Sequence, residues 1–137
     1  MLTTNAKTQP TLDQNRANHA WEAVRHAEGR TGEHHKQAPK KFGGQAKKLP
    51  VRIMASGLGQ ALAFLKAKDY APGLVAELSD WVAQRIPTKA NESQDLLERI
   101  VKGDSDFLRR ATDEVLAYLS WLNRFAEAKN LTEGDQE

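Results

Sequence analysis

The chain contains no cysteine. That absence excludes a disulfide framework, a thiolate metal site and a cysteine nucleophile together. β-Branched aliphatics are also scarce: 6 Val and 3 Ile stand against 19 Ala and 15 Leu, so residues that lose little rotamer freedom in a helix dominate the apolar set. Long hydrophobic runs are missing too. The richest stretch, residues 49–65, has 17 residues and includes Arg52, Ser56 and Gln60, short of the roughly 20 that a bilayer demands. The opening MLTTNAKTQP lacks the apolar core of a signal peptide. These absences lead us to expect a cytoplasmic, all-α protein with no membrane contact. Its 137 residues supply one core, since roughly two thirds of the unfolded surface can be buried at this size.

The net charge of +2 conceals a further gap: no Asp or Glu occurs between Glu33 and Asp69, an interval carrying Lys36, Lys40, Lys41, Lys47, Lys48, Arg52, Lys66 and Lys68. Divided after Lys68, the chain holds 12 basic and 4 acidic residues on the N-terminal side and 8 and 14 on the C-terminal side. The two signs are segregated along the sequence.

Residues 1–10 read as a mobile tail, 11–129 as a helical bundle domain, and 130–137 as a second mobile tail. Thr11 and Gln14 fit a capping box that opens a first helix. Leu12, Ala17, Ala20, Val24 and Ala27, with Trp21, give that helix one buried face down to about Glu28. Gly29 and Gly32 end it. Residues 31–48 contain Pro39 and the pair Gly43-Gly44 and read as a loop with room for one short helix. Pro50 suits a first helical turn, so a helix is expected from Pro50 to about Lys68, with Met54, Leu58, Ala61, Leu62 and Leu65 as its stripe and Phe64 beside it. Another follows after Pro72, marked by Leu74, Val75, Leu78, Trp81 and Val82, and must stop before Pro87. Leu96, Leu97, Ile100 and Val101 mark a short helix with Gly103 as a left-handed terminator. The longest helix spans about 105–129, with Leu108, Ala111, Val115, Leu119, Leu122 and Ala126 on its buried face. The expected fold is a single-domain, all-α bundle of five to six helices with a long C-terminal helix.

Reactive constellations are thin. His19, His26, His34 and His35 lack metal-ligand spacing and read as solvated helix and loop residues, so neither a metal nor a cofactor is expected. Asp104 and Asp106 resemble paired carboxylates of a metal-dependent nuclease, yet they sit where a helix start favours cap oxygens and negative charge. Gly57-Leu58-Gly59 has no preceding strand to make it a phosphate loop; two glycines in a helical pattern point instead to a close approach of another backbone. The acid-free interval creates the positive field that phosphates need, for contacts that position a backbone without reading bases. Lys41, Lys48 and Arg52 would share a face if one helix ran through Pro50. With Phe42 and Phe64 as its sole aromatics, the interval favours a phosphate track over a stacking platform.

Lys48-Leu49-Pro50, the run Gly57-Leu58-Gly59-Gln60-Ala61-Leu62-Ala63-Phe64-Leu65 and the block Tyr118-Leu119-Ser120-Trp121-Leu122-Asn123-Arg124-Phe125-Ala126-Glu127-Ala128 together resemble the small subunit of the Cmr complex, the type III-B RNA-guided CRISPR effector of antiviral defence. The resemblance covers about 80 residues; at Asn123 the chain departs from the basic residue expected before Arg124. It implies a noncatalytic subunit that stacks with further copies of itself in the inner filament. Its neighbours would be the backbone subunits that hold the guide RNA and the large polymerase-like subunit, and it would line the groove that receives target RNA. The expected nucleic-acid contacts are Lys40, Lys41, Lys47, Lys48 and Arg52, with Arg16 and Arg25 in second rank. The competing reading is a helical adaptor whose basic face docks on an acidic partner without touching nucleic acid.

Overall fold

Capping and apolar periodicity settle most of the element boundaries. In a computed structural model, residues 8–29, 38–69 and 71–131 are described. They form α1 (Leu12–Glu28), α2 (Ala38–Ser56), α3 (Leu58–Lys68), α4 (Pro72–Arg85), α5 (Leu96–Lys102) and α6 (Ser105–Ala128), with no strand among the described residues. Arg30, Gly32, Glu33, His34, His35 and Lys36 lie outside the described residues, as do 1–7 and 132–137 of the two tails.

The Thr11 box forms as expected. Thr11 Oγ1 accepts from the Gln14 amide at 3.0 Å, and Gln14 Oε1 accepts from the Thr11 amide at 2.7 Å. Asp95 and Asp104 cap α5 and α6 by accepting from the amides of Glu98 and Phe107. α6 makes its widest contacts with α1 and α2, while α3, α4 and α5 pack on one another and complete the bundle. Its core includes Ala20, Val24, Leu49, Leu62, Leu78, Val82, Leu119 and Leu122, all with no exposed surface.

Several local readings need correction. The expected loop before Lys48 is mostly helix, because α2 starts at Ala38 and runs through Pro50. Phe42, Ala46, Leu49 and Ile53 keep a buried stripe across the proline. At about 1.5–3 kcal/mol for each large side chain, their burial outweighs the roughly 3 kcal/mol that an internal proline costs. Second, the expected helix from Pro50 to Lys68 is broken at Gly57, whose φ of 89° and ψ of 159° are open to glycine alone. Nothing lies within 4 Å of a Cβ built there, and Gly59 meets Ile100 only at ordinary contact distance. The close backbone approach is at Gly43 instead, where an added Cβ would strike the Leu131 carbonyl group. The end of α6 brings Leu131 there. Asn130 takes a left-handed φ of 58°, while the Asn130 and Leu131 amides donate to the Glu127 and Ala126 carbonyls, which is a Schellman ending. Third, Gly103 is extended rather than left-handed. Met54, expected in the core stripe, is 76% exposed, because the buried stripe of α2 runs through Leu49 and Ile53 and leaves Met54 about 100° round the helix from it.

Candidate nucleic-acid interface

At about 100° per residue, the stripe of Phe42, Ala46, Leu49 and Ile53 occupies one side of α2. Lys40, Lys41, Lys47, Lys48 and Arg52 fall on the remainder. The continuation of the helix through Pro50 puts Lys41, Lys48 and Arg52 in one row and Lys40 with Lys47 in the next. Lys41, Lys47 and Lys48 are exposed, and Lys40 and Arg52 partly so. α2 contains no acidic residue. Lys40, Lys41, Lys48 and Arg52 form no ion pair with any described residue. Arg52 is oriented by two neutral contacts: its Nη1 donates to Gln45 Oε1 at 2.6 Å, and its guanidinium lies 4.5 Å from the centre of the Phe64 ring. Val51 and Met54, 73% and 76% exposed, lie beside Lys40 and Lys47 rather than in the row of Lys41, Lys48 and Arg52.

The two arginines of second rank have different surroundings. Arg16 faces inward: its Nε and Nη2 donate to Glu114 at 2.6 and 3.2 Å, and its Nη1 donates to Asp13 at 3.1 Å. Hydrogen bonding to Glu114 raises its pKa further. Arg25 stays exposed, 3.7 Å from Glu22 on its own helix. With Glu28, Gly29, Pro39 and Leu131 it lines a depression of about 550 Å³, which brings it to the N-terminal end of α2.

Of the two histidines in view, His19 is enclosed rather than solvated, whereas His26 lies at the surface with its side chain 60% exposed. His19 Nδ1 lies 2.7 Å from the Tyr118 hydroxyl and its Nε2 lies 2.7 Å from Asp80 Oδ2. His26 Nδ1 lies 2.9 Å from Glu77. No group of three or more potential metal-ligating side chains occurs among the described residues. Asp104 is occupied as a cap, 2.9 Å from the Phe107 amide, and Asp106 pairs with Arg109 at 2.8 Å.

Glu114 and Arg99, not singled out in the sequence, are both buried. The spacing of Glu114 from Ala111 and Tyr118, three and four residues away and so one turn in either direction along the same face, could have signalled its position.

Residues 12–129 match the family model described as CRISPR-associated protein (Cas_Cmr5), which puts this strand-free bundle among the CRISPR-associated proteins. The X-ray crystal structure of a CRISPR-associated Cmr5 family protein from Thermus thermophilus is similar to it, at 31% identity with a TM-score of 0.69, over 90% of this chain and 100% of that one. The chain belongs to the Cmr5 family and is a small subunit of the type III-B Cmr complex.

Proposed function

We propose that this subunit is a noncatalytic element of the inner filament that touches target RNA through the outer face of α2. In this reading Lys40, Lys41, Lys47, Lys48 and Arg52 meet phosphates, and Arg25 extends the strip at its N-terminal end. Copies of the chain stack along the filament beside the guide-bearing backbone subunits and the large polymerase-like subunit. The observation that carries the reading is the carboxylate-free row of Lys41, Lys48 and Arg52 on one helix side. Lys41, Lys48 and Arg52, which form no ion pair with any described residue, are free to neutralise phosphates and release counterions from a polyanion, and such contacts read no bases. Arg16 has no part in it, since Glu114 already holds its guanidinium.

The test is K41Q/K48Q in the assembled complex, with RNA affinity followed against salt. Loss of two phosphate contacts should weaken binding and lower the magnitude of the log–log salt slope by about 1.4, at roughly 0.7 per phosphate on a single strand. Unchanged affinity and slope would sink the assignment. The adaptor reading has one observation in its favour, the exposed pair Val51 and Met54, since aliphatic side chains do nothing for phosphates. In that case lysine-directed crosslinks from α2 would reach protein alone.

A further inference from the structure

Arg99 of α5 is 6% exposed, and its Nε and Nη1 are enclosed without an acceptor among the described residues. The guanidinium stacks on Phe107, 4.5 Å from the ring centre, which uses its flat face and none of its N–H groups. Burial draws its pKa down, opposed by the charge of Glu92. The neighbouring carboxylates are engaged elsewhere: Glu92 accepts from the Lys89 amide at 2.8 Å, and Glu98 accepts from Lys102 at 2.7 Å. Arg99 forms one wall of a cavity of about 200 Å³, with Asn91, Glu92, Ser93, Glu98 and Lys102 as the others.

A guanidinium is a planar fork matched to a carboxylate, and enclosing one without its acceptors carries a free-energy cost. An apolar side chain of similar volume would fill the same space without that cost. The cation therefore belongs to something that arrives. We propose that the Arg99 cavity is a socket for an Asp or Glu side chain of a neighbouring protein subunit, whose carboxylate draws the guanidinium toward the cavity and pairs with it when the complex assembles. Protein fits better than nucleic acid here, because Glu92 and Glu98 in the cavity wall repel a run of phosphates more than they repel one carboxylate. The socket lies on α5, away from the lysine rows of α2, and does not depend on the RNA reading.

The decisive variant is R99M. In the free protein it should raise the unfolding midpoint by a few degrees, since a buried unpaired charge is replaced by apolar volume. In reconstitution with the remaining Cmr subunits it should weaken incorporation by roughly tenfold or more. A lowered midpoint or a failure to fold would make Arg99 a stabiliser of its own chain and overturn the proposal, as would a raised midpoint with normal incorporation. R99K gives a second readout that does not rely on stability: in the assembled complex, carbodiimide should couple the new amine to a carboxylate of another subunit. Coupling confined to Glu92 or Glu98 of the same chain, or an RNA adduct at this position, would also overturn it.

Discussion

At the scale of single residues, Glu114 does the most to join α1, α4 and α6. It is 7% exposed and accepts from Arg16 and from Trp81 Nε1 at 2.8 Å, with Arg85 Nε at 3.5 Å. Burial alone would push its carboxyl upward; the hydrogen bonds from Arg16 and Trp81 and the charges of Arg16 and Arg85 outweigh that and hold it below the ordinary glutamate value of 4.5. The stability it contributes is therefore complete at neutral pH and is lost as pH falls through its depressed folded-state value. Glu114→Ala should cost about 3–5 kcal/mol in urea unfolding, because it strands the Arg16 charge and the Trp81 N–H. Glu114→Gln should flatten the acid limb of the stability curve below about pH 4.5. Beside it, Tyr118 stacks on Trp81 with ring centres 5.8 Å apart. Burial, then the charges of Glu77 and Asp80, push its phenol far above the ordinary value. The hydroxyl keeps its proton, and one tautomer of His19 satisfies both contacts: Nδ1 accepts from Tyr118 while Nε2–H donates to Asp80. None of these pairings could be read from the sequence, where His19 and Tyr118 stand 99 positions apart.

At the scale of elements, legibility follows from how local the signal is. α1, α4, α5 and α6 were readable because caps and apolar stripes lie within a few residues of one another. α2 and α3 were misread because proline and glycine each have two meanings. Pro50 looked like a helix start, but Phe42, Ala46, Leu49 and Ile53 pack on both sides of it, and tertiary burial decided. Gly43 looked like a loop residue, yet it is the flat spot on which Leu131 rests. Gly57 looked like packing space, yet its backbone angles are what divide two helices. The Gly57→Ala substitution should therefore destabilise the fold by about 1–3 kcal/mol in chemical denaturation, although there is room for the methyl group. A neutral or stabilising result would mean that α2 and α3 tolerate a different join. The apolar anchors of the family resemblance, Leu49, Leu58, Leu62, Leu65, Tyr118, Leu119 and Leu122, lie in the core. They made the fold legible and said little about the surface.

Across the whole molecule, several carboxylates of the acidic half of the sequence are taken up by pairing with histidines and cations. Asp80 and Glu77 meet His19 and His26, Asp95 meets Lys66, Glu98 meets Lys102, and Glu114 meets Arg16. The candidate rows on α2 were visible as a gap in acidic residues, but their register was not, since it depended on the helix crossing Pro50. Val51 and Met54, beside Lys40 and Lys47, make few demands on the fold. V51D/M54D should leave the unfolding free energy of the isolated protein within about 0.5 kcal/mol, while incorporation into the complex drops if a protein surface covers them. Thermal melts and reconstitution measured on the same sample would separate the two effects.

Lys41, Lys48 and Arg52 form no ion pair with any described residue, and α2 carries no acidic residue, so positive potential gathers along that row. If that row meets RNA as proposed, an approaching polyanion would feel a torque before it felt a contact. Raising ionic strength should slow that capture and leave the rate of escape comparatively unaltered.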